Sequence, residues 1–149
     1  KELENTYHFK FRVISNQAPE FELKSMEYVP WKKETEIEDL AQIQIGIMPL
    51  EEDIWSEGKC GFKGLQYMSL GMATILSPVG VNKSIVQNGV NGFLAESAQD
   101  WKEKLERLIT DIELRKKMGE AGRLTVEKKF SVEANKTTYL ELFERELES

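Results

Sequence analysis

A run of small and basic residues, Gly58, Lys59, Cys60, Gly61, Phe62 and Lys63, stands with Glu57 just before it and Gln66 three positions beyond. Within it the apolar residues Phe62, Leu65 and Met68 recur every three positions, which predicts an amphipathic helix opening at a glycine-rich turn. The first amides of a helix have no partner inside the helix, and the aligned peptide dipoles leave a partial positive charge there. Glycines at such a point let a phosphate approach the backbone closely, and Lys63 in the first turn adds a full charge. The chemistry this pattern suits is the seating of a diphosphate. A glycine-rich turn of this kind is also an ordinary tight connection, so the helix and its lysine carry the reading together. Cys60 reads as a small residue lining the turn rather than a nucleophile, because the only histidine, His8, is distant in sequence.

The elements that must hold this turn follow from the flanking patterns. Gly71 closes the helix, and Ala73, Thr74, Ile75 and Leu76 form a short buried strand after it. Upstream, residues 43–48 give another apolar strand ending at Pro49, so strand, helix and strand make a βαβ unit. Residues 1–5 read as the tail of a helix. Residues 8–14 and 21–29 alternate apolar and polar side chains and are expected as strands, and residues 35–42 as a short helix begun by Thr35. The acidic run Glu51, Glu52 and Asp53 reads as a solvated loop at the carboxyl end of a strand. After a turn at 77–81 come a helical turn and a short strand at 93–95. Three closing helices then carry core faces: Trp101, Leu105, Leu108 and Ile109; Leu114, Met118, Ala121 and Thr125; and, after a Ser131 cap, Tyr139, Leu140, Phe143 and Leu147. Strands alternating with helices imply an α/β fold with a mostly parallel, doubly wound sheet. Such sheets bind ligands beyond the carboxyl ends of their strands. The 49–57 loop and the 58–63 turn fall at that edge, as do Trp31 and Trp55, which suit the lining of a base or sugar pocket.

Composition narrows the partners. At 149 residues and 40% hydrophobic content the chain can bury one substantial core but not two α/β domains, so a single domain over 1–149 is expected. A net charge of −6 argues against nucleic acid as a partner. One cysteine excludes a disulfide framework and favours a reducing compartment. No apolar run has the twenty or so residues of a membrane span, and no paired carboxylate or histidine spacing suggests a metal.

Five segments in order carry a resemblance: GIMPL at 46–50, GKCGFKGLQYMSLGMATILSPVGVN at 58–82, NGVNGFLA at 88–95, WKEKL at 101–105 and LRKKMGEAGR at 114–123. Together they resemble the C-terminal, nucleotide-sugar-binding domain of retaining family 4 glycosyltransferases of GT-B fold. The likeness covers residues 43–130, and 1–42 are compatible with it. It implies a Rossmann-like half of a two-domain hexosyltransferase whose donor diphosphate lies on the helix N-terminus, with Gly58 to Lys63 and Gln66 as donor contacts. Two family glutamates eight positions apart flank the donor; here their positions hold Gly58 and Gln66. Gln66 can still hydrogen-bond a ribose hydroxyl as donor or acceptor but supplies no charge. Glu57, one residue from the earlier position, is the nearest carboxylate to the transferred sugar, and Lys63 would stabilise the leaving diphosphate.

The resemblance further implies no cofactor and no metal. Its partners are a nucleotide-sugar donor and, through an absent N-terminal domain, a glycan or glycolipid acceptor such as a surface polysaccharide or lipopolysaccharide. It implies a cytoplasmic setting with peripheral contact at the inner membrane face, and an isolated fragment without activity. A first, central strand of the family pattern is missing here, which would leave a gap between the strands at 8–14 and 43–48. Two other readings stay open: a degenerate domain that binds nucleotide sugar or protein without turnover, and a GT-B-like nucleotide-sugar epimerase.

Overall fold

The computed structural model describes residues 1–147 except Glu52 and Lys59, and the side chains of Trp55 and residues 144–147 lie outside that description. The chain runs α1 (Glu2–Thr6), β1 (Phe11–Ser15), β2 (Met26–Pro30), α2 (Glu36–Ala41), β3 (Ile45–Met48), α3 (Ile54–Glu57), α4 (Phe62–Ser69), β4 (Ala73–Leu76), α5 (Asn82–Ile85), β5 (Phe93–Leu94), α6 (Ala98–Thr110), α7 (Ile112–Lys129) and α8 (Val132–Leu147). All strand pairing is parallel, and it forms two sheets: β1 with β2, and β3, β4 and β5 in that order. The mixed α/β, parallel architecture is the expected one.

Among the described residues β4 is the only strand buried along its whole length, and its alternation divides the core. Ala73 and Ile75 join Phe93, Leu108 and Met118 on one face, with Ile45 and Ile47 of β3 and Trp101 and Leu105 of α6 packed against them. Leu76 turns to the other face with Met68 of α4 and Ile85, where Met48 and Leu65 add to the cluster. Period-two alternation thus covers the three-stranded sheet on both sides, with α6 on one face and α4 on the other. Full burial of a side chain such as Leu108 or Met68, neither exposed at all, is worth about 1.5–3 kcal/mol.

Several expectations need correction. The first strand begins at Phe11 and the second at Met26, because ladder pairing starts at Phe11 with Met26 and leaves 8–10 and 21–25 without a partner strand. The acidic loop contains a helical turn, α3, capped by Asp53, whose Oδ1 accepts from the Ser56 amide at 2.6 Å. The third closing helix is not core: on α8, Tyr139, Leu140 and Phe143 are exposed because none of the described residues covers them, while the Leu147 side chain falls outside the described residues. Ser131 does cap α8, accepting from the Ala134 amide at 3.1 Å.

Candidate functional site

The glycine-rich turn lies where the three-stranded sheet ends. β3 stops at Met48, the Leu50 amide donates to the buried Ser77 hydroxyl at 2.9 Å, and the chain passes through α3 into the turn before α4. Gly61 is the residue before α4 and takes a left-handed φ of +67°. A Cβ there would sit 2.6 Å from Cδ1 of Ile85 and 3.2 Å from Oδ1 of Asn82, so both the backbone and the neighbours demand glycine. Asn82 is held in turn by donating its side-chain amide to the Ser77 carbonyl at 3.0 Å. The loop after β4 therefore walls one side of the turn.

Among the described residues no side chain caps α4. Its first intrahelical bond runs from the Leu65 amide to the Gly61 carbonyl at 3.0 Å, so the amides of Phe62, Lys63 and Gly64 precede the helix's own ladder and, among the described residues, have no side-chain cap. With the helix dipole behind them, they stand at the carboxyl edge of a parallel sheet, where their partial charge suits an anion.

Lys63 is not directed at empty space. Its ammonium donates to Oε1 of Glu36 at 2.8 Å and to Oε1 of Gln66 at 3.3 Å. Glu36 opens α2, so the contact links the N-termini of two helices on the same side of the sheet. The hydrogen bond from Lys63, then one from Trp31, hold the Glu36 carboxyl below its usual range. Tyr67, one turn along α4, has its phenol pushed up by burial and by the nearby Glu36 charge. Gln66 gives its oxygen to Lys63, and its side chain also hydrogen-bonds the Glu36 carboxyl, so the three polar groups close on one another.

The residues singled out in the sequence fall together: Gly58, Cys60, Gly61, Phe62, Lys63 and Gln66 occupy the turn and the first two turns of α4, while Lys59 lies outside the described residues. Phe62 and Cys60 are exposed. Glu57 ends α3 with its carboxylate in solvent and its backbone close against Gly80, where a Cβ would meet its carbonyl oxygen at 2.7 Å. His8 precedes β1, at the opposite end of that strand from this edge. Sequence reading missed Glu36, which stands 27 residues from Lys63 with no local spacing to join them. Among the described residues no cluster of three His, Cys, Asp or Glu could hold a metal ion, and no helix is long and apolar enough to cross a membrane.

Parallel strands with helices on both faces, and a glycine-led helix at their carboxyl edge, define a Rossmann-like half-domain. The chain belongs to the glycosyl transferases group 1 family, whose profile matches residues 10–125. Its structure is similar to the C-terminal domain of a glycosyl transferase group 1 family protein (LpcC) from Francisella tularensis, with TM-score 0.63 and 25% identity over 73% of this chain and 55% of that one. It is similar to sucrose-phosphate synthase from Thermosynechococcus elongatus, with TM-score 0.72 and 18% identity over 83% and 30% of the two chains. It also resembles Anabaena Alr3699/HepE in complex with UDP and glucose, with TM-score 0.66 and 16% identity over 82% and 32%. The fold is thus the GT-B half-domain, and the chain spans between about a third and about half of the structures it matches. A comparison with curated proteins finds no match.

Proposed function

We propose that this chain is the donor-binding half of a retaining, family 4-type glycosyltransferase that takes a nucleoside-diphosphate sugar, a UDP-sugar in the first instance, and passes a hexose to a glycan or glycolipid acceptor. The observation that carries the reading is the uncapped N-terminus of α4, led by Gly61 at the carboxyl edge of the sheet with Lys63 in its first turn. The Anabaena relative, solved with UDP-glucose and with UDP, supports the donor class.

In this reading the amides of Phe62, Lys63 and Gly64 receive the diphosphate, whose negative charge grows as the bond to the sugar breaks. Fixed dipoles aimed at developing charge lower the barrier without reorganising. Lys63 leaves Glu36 to join them, Gln66 turns from Glu36 to the ribose, and Glu57 approaches the donor sugar. The reaction needs no metal, because helix dipole and ammonium supply the positive charge. The acceptor, a surface polysaccharide, lipopolysaccharide or glycolipid, enters from a domain outside this chain, at the inner face of the cytoplasmic membrane.

The test is donor binding and donor hydrolysis by the longer protein. UDP binding by calorimetry, with sugar release abolished in Glu57→Gln while binding persists, is the expected result. Binding without turnover in the unaltered protein would favour a degenerate sugar-nucleotide-binding domain, a reading that Gly58 and Gln66 support by standing where the family glutamates would. Absence of any nucleoside-diphosphate binding overturns both.

A further inference from the structure

A carboxylate in the first turn of a helix ordinarily spends its charge on that helix's own amides and dipole. Glu36, the first residue of α2, is committed elsewhere. Its Oε1 accepts from the Lys63 ammonium at 2.8 Å, and its carboxyl is also hydrogen-bonded by the side chains of Trp31, which follows β2, and of Gln66, one turn along α4. The Glu36 side chain is only 19% exposed, so these contacts are partly sheltered from water. Tyr67 stands close enough that the Glu36 charge helps to push its phenol up, after burial. The neighbouring acid on α2, Asp39, is turned away to accept from the Thr35 hydroxyl at 2.8 Å. One ammonium, one indole N–H and one carboxamide thus surround a single carboxylate, drawn from three segments that sequence does not bring together.

That donor set would suit any oxyanion, and here the chain's own side chain fills it. Lys63 belongs to two anion positions at once. Its backbone amide is one of the three that precede the ladder of α4, while its ammonium is held by Glu36. A cation in the first turn of a helix is disfavoured by the dipole, and the Glu36 carboxylate offsets that cost in the ligand-free chain. An external anion at the opening of α4 would compete for the same ammonium. Were the ammonium shared, carboxylate and phosphate would stand about 5 Å apart, where like charges repel. The two acids therefore exclude one another from Lys63.

We infer that Glu36 is a built-in competitor of the nucleoside diphosphate: it holds the Lys63 ammonium while the α4 opening is empty, weakens the grip on the bound diphosphate, and takes the ammonium back as the diphosphate leaves. The inference rests on the donor-binding reading and adds to it a positioning residue that acts through Lys63. Its use lies at the end of the reaction. A diphosphate gains negative charge when its bond to the sugar breaks, so a fixed cation would hold the product more tightly than the donor, and slow release limits turnover in many enzymes. A carboxylate waiting 2.8 Å from the ammonium in the empty state gives Lys63 another partner when the product goes. Trp31 stays with Glu36 throughout, which keeps the carboxylate within reach.

Calorimetry with UDP and with inorganic pyrophosphate tests it on the full-length protein, comparing the unaltered form with Glu36→Gln, Lys63→Ala and the double variant. Glu36→Gln is expected to bind UDP about two- to fivefold more tightly, as the loss of a competing exposed ion pair implies, and to release it more slowly in stopped-flow displacement. Damage to the fold would not tighten binding. With Lys63→Ala in the background the gain should fall to less than half, because no ammonium remains to be freed. Unchanged or weaker binding by Glu36→Gln overturns the inference, and so does an equal gain with and without Lys63, which would leave only charge repulsion. A carboxyl NMR titration of Glu36 in the unaltered protein gives a readout that needs no variant. Saturating UDP should raise its midpoint toward the ordinary value, since the Lys63 hydrogen bond is the largest cause that lowers it, and an unmoved midpoint overturns the inference. If pyrophosphate binds with the expected Glu36 pattern while UDP does not bind, the donor reading fails and the competition stands; if neither binds, both fall.

Discussion

Replacing Lys63 by alanine separates a role in ligand binding from a role in the fold, because the structure predicts opposite sizes for the two effects. In the ligand-free chain the Lys63 ammonium is paired with Glu36 at 2.8 Å, and its side chain is 47% exposed. Exposed pairs of this kind contribute about 0.2–1 kcal/mol. Against that loss, removing a cation from the first turn of a helix relieves an unfavourable dipole interaction of about 0.3–1 kcal/mol, and alanine is the better helix former by a few tenths. The terms nearly cancel, so thermal unfolding of Lys63→Ala should stay close to that of the unaltered protein. Binding is different. A hydrogen bond from an ammonium to a diphosphate oxygen is worth about 1.5–3 kcal/mol, and surrendering the Glu36 pair to make it subtracts up to about 1 kcal/mol. The net of about 1–2 kcal/mol corresponds to roughly tenfold weaker UDP binding at about 1.4 kcal/mol per decade. Calorimetry and a thermal melt on the longer protein give both numbers. Unchanged affinity would remove Lys63 from the site, and a melt that falls in step with affinity would show that the lysine acts through the fold.

Other outcomes follow from particular contacts. Glu36 has its folded-state pKa depressed, first by the Lys63 hydrogen bond, so its stabilising contribution is present above its ordinary value of 4.5 and is lost as pH falls below that value. Glu36→Gln should therefore flatten the acid limb of the unfolding midpoint below pH 4.5, and an unaltered limb would refute the coupling. Gly119→Ala places a Cβ 2.0 Å from the Gly71 carbonyl oxygen, a backbone atom with little freedom to yield. The gain in helix propensity of about 1 kcal/mol is outweighed by overpacking of about 1–3 kcal/mol or more, so the melting temperature should drop, and a rise would contradict the packing. Buried Asn91 donates to the Ile85 carbonyl at 3.2 Å and to the Thr125 hydroxyl at 3.0 Å, and accepts from the Gln87 amide at 2.7 Å. Asn91→Ala strands those groups at about 1–3 kcal/mol each for any that water does not reach, which a denaturant titration should register as a lowered midpoint.

What could be read from sequence is what local spacing encodes. The turn at 58–61, α4, β3 and β4 are legible because glycine, a three-residue apolar recurrence and short apolar runs all speak over fewer than about ten residues. The strand beginnings are not, because alternation at 8–10 and 21–25 is the same whether or not a partner lies alongside, and pairing begins only at Phe11 with Met26. Asp53 looks like one more charge in an acidic run until Ser56 is seen to bond it. α8 has an apolar stripe like those of α6 and α7, but Tyr139 and Phe143 are 62% and 66% exposed, since amphipathicity states that a face needs cover and not what covers it. Glu36 reads as a first-turn acid, which it is, and its hold on Lys63 depends on a crossover that only the fold supplies.

The Lys63 pair, which sequence could not supply, and the gap between β1 and β3, which the resemblance implied, bear on the same stretch of chain. β3 is bonded on one side only, yet its carboxyl end leads through the Leu50 to Ser77 contact into the glycine turn. α4 rests directly on it, since a Cβ on Gly46 would come within 2.6 Å of the Tyr67 ring. Glu36, which holds Lys63 at rest, belongs to the helix that crosses from the β1 and β2 half to β3. The opening of α4 is thus suspended between the two half-sheets, anchored in one and tethered by an ion pair to a helix that bridges from the other.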